Sequence, residues 1–191
     1  MMRIITGRAR GARLQAPAGE HTRPTAERTK EAVFSMLCDR VQGRRVLDLF
    51  GGSGQLGLES VSRGAASAVI VDNDRAAVRI IRENARHTKL TECVEVVESE
   101  ATRFLKTYTG APFDLIFLDP PYASTLVHDC LALIVKGGLL RSGGTVVCET
   151  AAPEAVFAGD EALEAAFSVL RRARYGAAHI TLLSLAREVS E

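Results

Sequence analysis

From residue 46 onward the chain alternates between short, nearly continuous apolar runs and longer amphipathic stretches. No other feature restricts its fold as much. RVLDLF (45–50) is followed by QLGLESVSRG (55–64), SAVIVD (67–72) by DRAAVRIIRENARHT (74–88), and CVEVVE (93–98) by EATRFLKTY (100–108). FDLIFLD (113–119) is followed by STLVHDCLALIVKGG (124–138), and GGTVVCET (143–150) closes the series. Strands this apolar are buried on both faces, and strand–helix alternation then predicts a parallel sheet covered by helices on each side. The tail AFSVLRRARYGAAHITLLSLA (166–186) reads instead as two strands turning near Gly176, an antiparallel hairpin. The expected fold class is therefore α/β: a doubly wound, mostly parallel, seven-stranded sheet with a C-terminal antiparallel hairpin.

The first 44 residues fall outside this alternation. MRIITGRARGARLQAP (2–17) reads as two short strands around a glycine-containing turn, a small β-hairpin. In RPTAERTKEAVFSMLCDR (23–40), Pro24 and Thr25 signal a helix start, and Ala26, Val33, Phe34, Met36 and Leu37 form an apolar stripe at helical spacing. A chain of 191 residues suits one domain with an appendage. The expected division is a basic hairpin and helix, residues 1–44, on an α/β domain, residues 45–191.

Charge divides along the same line. Residues 1–45 hold ten Lys/Arg and four Asp/Glu, whereas residues 46–191 hold fourteen and nineteen. Arg3, Arg8, Arg10 and Arg13 all precede the first acid, Glu20. A basic arm on a mildly acidic body suits a polyanionic partner; a solvated arginine-rich face would look the same. No apolar run approaches the ~20 residues of a membrane span, and the first residues lack the apolar stretch of a signal peptide. A cytoplasmic monomer with no membrane partner is the expectation. Cys38, Cys93, Cys130 and Cys148 form no CxxC pair and read as buried reduced thiols. His21, His87, His128 and His179 show no ligand spacing, so no metal is expected.

GSGQLG (52–57) fits GxGxxG between a strand and a helix, and Asp72 ends the next strand. This pattern suits an adenosine-like ligand lying across the strand tips, with Asp72 accepting the ribose hydroxyls. Asp48, just ahead of the loop, narrows the choice. A carboxylate there would repel a dinucleotide's pyrophosphate by several kcal/mol in a low-dielectric cleft. S-adenosylmethionine has adenosine, a ribose diol, a positive sulfur, an ammonium and no phosphate. The candidate cofactor contacts are Asp48, the loop Phe50, Gly51, Gly52, Ser53 and Gly54, then Asp72 and Asn73, and Glu100 with the backbone of Ala101 at the adenine edge. Glu100 reads equally well as a charge favoured at a helix N-terminus.

DPPY (119–122) ends the fourth strand with a carboxylate, two prolines and a tyrosine, a rigid corner where no ladder can continue. In a doubly wound order this corner lies at the ligand crevice. The exocyclic amine of a base is a poor nucleophile because its lone pair is delocalised into the ring. Asp119 and the Pro120 carbonyl can accept its two hydrogens and turn the lone pair out of conjugation. Tyr122 offers a face for stacking, and Asp119 also lies close enough to the loop to border the donor.

These motifs together resemble a known family. [DNS]PP[YFW] with an upstream DxFxGxG loop marks amino-group methyltransferases acting on bases, or sometimes on glutamine amides. MRIITGRARGARL, RPTAERTKEAVFSML, VLDLFGGSGQLGLESVSRGA, DPPY and a late YG are similar, over nearly the whole chain, to the bacterial 16S rRNA (guanine(966)-N2)-methyltransferase family. The resemblance implies a Rossmann-like class I methyltransferase that uses S-adenosylmethionine, needs no metal, and acts on 16S rRNA in the small ribosomal subunit or an assembly intermediate. It implies that Arg23, Pro24 and Thr25 close the donor pocket and that Asp119, Pro120 and Tyr122 are catalytic. It also implies that Arg3, Arg8, Arg10 and Arg13, with Pro121 and Tyr122, meet RNA. Gln55 stands where the family commonly has alanine. Arg171, Arg172 and Arg174 extend the RNA surface or form a solvated strand edge. DNA adenine-N6 methylation suits DPPY equally, although the chain has no insertion long enough for a DNA target-recognition domain. Glutamine methylation usually has Asn at position 119. An oxidoreductase is opposed by Asp48, and an inactive RNA-binding module by the intact DPPY.

Overall fold

The computed structural model describes residues 2–16, 24–121 and 125–186, with residues 24–27 described by backbone alone. In chain order its elements are α1 (Pro24–Leu37), β1 (Arg45–Asp48), α2 (Gln55–Ser62), β2 (Ser67–Asp72) and α3 (Arg75–His87). These are followed by β3 (Val94–Glu98), α4 (Ala101–Thr107), β4 (Phe113–Leu118), α5 (Leu126–Lys136), β5 (Leu140–Thr150), α6 (Glu161–Ala165), β6 (Phe167–Tyr175) and β7 (Ala178–Leu185). All seven strands form one sheet in the order β3-β2-β1-β4-β5-β7-β6. β1 to β5 pair in parallel, and β7 runs antiparallel to β5 and β6. The doubly wound α/β sheet with its terminal hairpin is thus the one expected from the alternation. Strand order reverses between β1 and β4, which opens a crevice at their carboxyl ends.

Side chains alternate between faces along each strand, so successive residues feed two cores. Val46, Ile70, Leu115, Phe117 and Val147 pack with α1, α2, α3 and the arm residues Met2, Ile4 and Leu14. Leu47, Leu49, Ile116, Leu118 and Cys148 pack with Phe104 and Leu105 of α4 and with Val127, Leu131 and Ile134 of α5. Helix ends are set locally. Asp74 accepts from Ala76 N–H at 2.8 Å to start α3, and Arg86 and His87 lie in its last turn, where the dipole favours cations.

The N-terminal hairpin is closed by a single antiparallel bridge, Arg3 to Arg13, rather than by two regular strands. The reason is competition for its N–H groups. Ile5 and Thr6 donate to the two carboxylate oxygens of Glu59, and Ala9 donates to the Ser62 hydroxyl. Glu59 is fully buried and also holds Arg63 at 2.7 Å and Lys30 at 3.7 Å. Asn84 adds a further tie, bonding both the N–H and the C=O of Gln15 and the carbonyl of Ser53.

Three expectations are corrected. The strand expected over 45–50 ends at Asp48, because the chain turns into the loop through Gly52 and Gly54 at positive φ. Between β5 and β6 lie a 3-10 turn, Pro153–Val156, and α6, which were not expected; a five-residue helix is too short to show a period. Cys130 and Cys148 are buried as expected, but Cys38 is exposed where α1 ends and Cys93 is half-buried; all four are free thiols. Among the described residues no helix is long and apolar enough to cross a membrane.

Candidate active site

β1 and β4 are neighbours, with Asp48 level with Phe117, so the glycine loop and the Asp119 corner open onto the same crevice. Gly54 precedes α2 at φ 78, a left-handed conformation that costs glycine little. It has no side chain to cap the helix, so the first-turn N–H groups need partners from elsewhere. Asp48 provides one: its Oδ2 accepts from Gly57 N–H at 3.0 Å. The same carboxyl is only 1% exposed, and its Oδ1 has no hydrogen-bond partner among the described residues. Burial pushes the Asp48 carboxyl up to about 7; hydrogen bonds from Gly57 and Phe50 N–H pull the other way, and the nearby charge of Asp72 raises it further.

Asp72 ends β2 with both oxygens engaged: Oδ2 accepts from Gly52 N–H at 2.7 Å and Oδ1 from Asp74 N–H at 2.8 Å. Each oxygen keeps a second lone pair for a ligand hydroxyl. Asn73 beside it is exposed, Phe50 is half-buried, and Gly51 is buried with its N–H donated to Val71 C=O. Ser53 is buried and turns its hydroxyl to the Met2 sulfur at 2.8 Å, so only its backbone faces the loop. β3 ends at Glu98, and Glu100 stands two residues further on as the exposed N-cap residue of α4, making no side-chain cap bond. Ala101 follows, buried, in the first turn.

At the tip of β4, Asp119 is half-buried, Pro120 buried and Pro121 exposed. Asp119 borders a cleft of about 470 Å³ including its open mouth, floored by Phe117, Val147 and Ile180 and walled by Thr29, Lys30, Gln55 and Glu149. Thr25 lies in the first turn of α1, of which only the backbone is described; Arg23 and Tyr122 lie outside the described residues. Lys30 and Glu149 were not singled out from sequence. The signal for Glu149 was present, since it is an acid near the carboxyl end of a buried strand, as Asp72 and Asp119 are.

Residues 2–184 match the family model described as conserved hypothetical protein 95. The chain belongs to that family. YlbH of Bacillus subtilis strain 168 is 40% identical over 152 residues, which cover 78% of this chain and 82% of YlbH. Ribosomal RNA small subunit methyltransferase D of Escherichia coli K12 is 35% identical over 149 residues, covering 78% of this chain and 74% of that protein. Among solved structures, yhhF from Escherichia coli aligns with a TM-score of 0.83 at 30% identity, over 98% of this chain and 99% of that one. The family resemblance read from the motifs is borne out.

In this family member the arm arginines sit on a fixed backbone. Arg3, Arg8, Arg10 and Arg13 are all exposed, while Met2, Ile4 and Leu14 between them are buried. The Arg8 guanidinium reaches the Cys93 sulfur at 3.3 Å. Arg171, Arg172 and Arg174 are exposed on β6, the edge strand of the sheet. Among the described residues no three His, Cys, Asp or Glu side chains gather as a metal ligand set.

Proposed function

We propose that the chain transfers a methyl group from S-adenosylmethionine to the exocyclic N2 amine of a guanine in the 16S rRNA of the small ribosomal subunit. One observation carries the reading: Asp119, at the tip of β4 and followed by Pro120, borders the crevice that the β1 glycine loop enters. Kinship with a protein named ribosomal RNA small subunit methyltransferase D supports the rRNA substrate.

The residues present fit the donor. Asp48 has a buried oxygen lacking a partner among the described residues, which an ammonium would satisfy. Asp72 has a lone pair left on each oxygen for the ribose hydroxyls. The backbone of Phe50, Gly51, Gly52, Ser53 and Gly54 would lie alongside, with Asn73 next to the ribose and Glu100 or the backbone of Ala101 at the adenine edge. When bound, the donor supplies an electrophilic methyl on a positive sulfur.

The corner does the rest. Asp119 accepts one N–H of the target amine, and the Pro120 carbonyl accepts the other. This holds the nitrogen lone pair out of conjugation, and the flanking prolines fix the carbonyl's direction. Positive charge that builds on the nitrogen is stabilised by the Asp119 carboxylate. Tyr122 stacks on the base, worth about 1–3 kcal/mol. The guanine must leave its stack to reach the corner. Residues 1–44 serve as RNA contact and donor lid: Arg23, Pro24 and Thr25 close the pocket, while Arg3, Arg8, Arg10 and Arg13 grip phosphates beside Pro121 and Tyr122.

The test is tritium transfer from labelled S-adenosylmethionine to 30S subunits lacking the modification. The wild-type chain is expected to label the rRNA stoichiometrically. No label in the rRNA with active, folded protein would end the proposal.

A further inference from the structure

Glu149 has no part in the mechanism above, yet the sheet register sets it beside the reacting corner. Leu118 pairs with Cys148, so the next residues on the two strands, Asp119 and Glu149, stand next to each other. Phe117 and Val147 belong to the core under α1. Asp119 and Glu149, two residues further along, point to that same side. Neighbouring strands lie about 4.8 Å apart, so both carboxylates can meet one edge of a planar base. Both line the cleft, whose apolar floor suits an aromatic ring. The cleft also holds Gln55, whose Oε1 is buried without a hydrogen-bond partner among the described residues. Buried acceptors in folded proteins are nearly always paired, so one left over in a cleft points to a ligand that brings donors.

We infer that this cleft reads the pairing edge of the target base, with Glu149 accepting the N1–H of guanine while Asp119 and the Pro120 carbonyl hold N2. The inference rests on reading the chain as a guanine-N2 methyltransferase. Guanine presents N2–H and N1–H side by side, followed by the O6 acceptor. Adenine presents its amine beside a bare N1, whose lone pair would face and repel the Glu149 carboxylate. A site built to bond a donor rejects an analogue lacking it far more strongly than an apolar pocket rejects a missing methylene. Thr29 and Lys30 form the α1 wall of the cleft. Lys30 is held in place there by the Arg3 carbonyl at 2.7 Å and by Glu59 at 3.7 Å.

The probe is 2-aminopurine, which keeps the exocyclic amine and lacks N1–H and O6. Small subunits are reconstituted around 16S rRNA ligated to carry guanine or 2-aminopurine at the methylated position. The wild-type chain is expected to prefer guanine by about 10²-fold or more in kcat/KM. In Glu149→Gln, the new amide can donate to a bare N1. The preference is expected to shrink by about tenfold or more, the worth of one hydrogen bond to a charged group. Calorimetric affinity for S-adenosylhomocysteine should stay within about twofold, since Glu149 is not among the donor contacts. Comparable wild-type rates on the two bases, or an unchanged preference in Glu149→Gln, would overturn the assignment. Failure of the wild-type chain to label guanine-bearing subunits would bring down the guanine-N2 reading and this inference together. Labelling of guanine with an unmoved preference brings down the cleft assignment alone.

Discussion

A carboxyl with a folded pKa near 7, such as that of Asp48, makes donor binding depend on pH. Its pKa is raised by burial, so its contribution to the stability of the ligand-free chain is present at low pH and is lost as pH rises through about 7. An ammonium beside it favours the ionised form. Affinity for S-adenosylhomocysteine should therefore fall by up to about tenfold per pH unit below 7 and level off above it. Calorimetry at pH 6, 7 and 8 checks this, and Asp48→Asn should flatten the profile. At the corner, Asp119→Ala should lower the rate of methyl transfer by about 10²–10³-fold, as removal of a charge-stabilising group does. Donor affinity should hold within about tenfold. Asp48, Asp72 and Asp119 were legible in the sequence because each is an acid at the end of an apolar run. Glu149 has the same signature, but its importance depends on β5 lying next to β4, an order that chain sequence alone does not state. Gln55 reads in the sequence as a tolerated loop residue, yet its amide oxygen is buried in the cleft without a partner among the described residues.

The N-terminal arm is fastened by side chains of α1, α2 and α3 as well as by a short backbone ladder of its own. Glu59 is the centre of this arrangement, with two backbone N–H groups, Arg63 and Lys30 converging on a fully buried carboxylate. Glu59→Ala would strip a buried lysine of its carboxylate and is expected to cost about 3–5 kcal/mol, the usual range for breaking a buried pair. Urea unfolding measures it. Gly7 makes a second, independent contact: a Cβ there would lie 1.8 Å from the Ser62 carbonyl oxygen at φ +88. Gly7→Ala should likewise destabilise the arm, and limited proteolysis within residues 2–16 reports it. The sequence pattern showed a hairpin here because it shows turn residues and apolar alternation. It could not show that polar residues on the buried sides of α2 and α3 take up the arm's N–H groups, since Glu59, Ser62 and Asn84 look like surface residues until the arm covers them.

Across the whole molecule, charge is segregated. Four exposed arginines ride on a fixed arm, while acids Asp72, Asp48, Asp119 and Glu149 end successive neighbouring strands of the sheet. This separation suits gripping phosphates at one place and holding a cation and an amine at another. Replacing Arg8, Arg10 and Arg13 with alanine should raise KM for the subunit and flatten its salt dependence, with donor affinity little changed, because each lost phosphate contact releases fewer counterions. Filter binding at several salt concentrations decides it. The strand–helix alternation made the fold legible because it is local. The crevice is legible only through strand order, which the doubly wound rule supplies. The most direct test of the account is mass spectrometry of nucleosides digested from 30S subunits after reaction with the wild-type chain and S-adenosylmethionine. The account predicts new N2-methylguanosine; N6-methyladenosine in its place, or a methylated glutamine in a subunit protein, would contradict it.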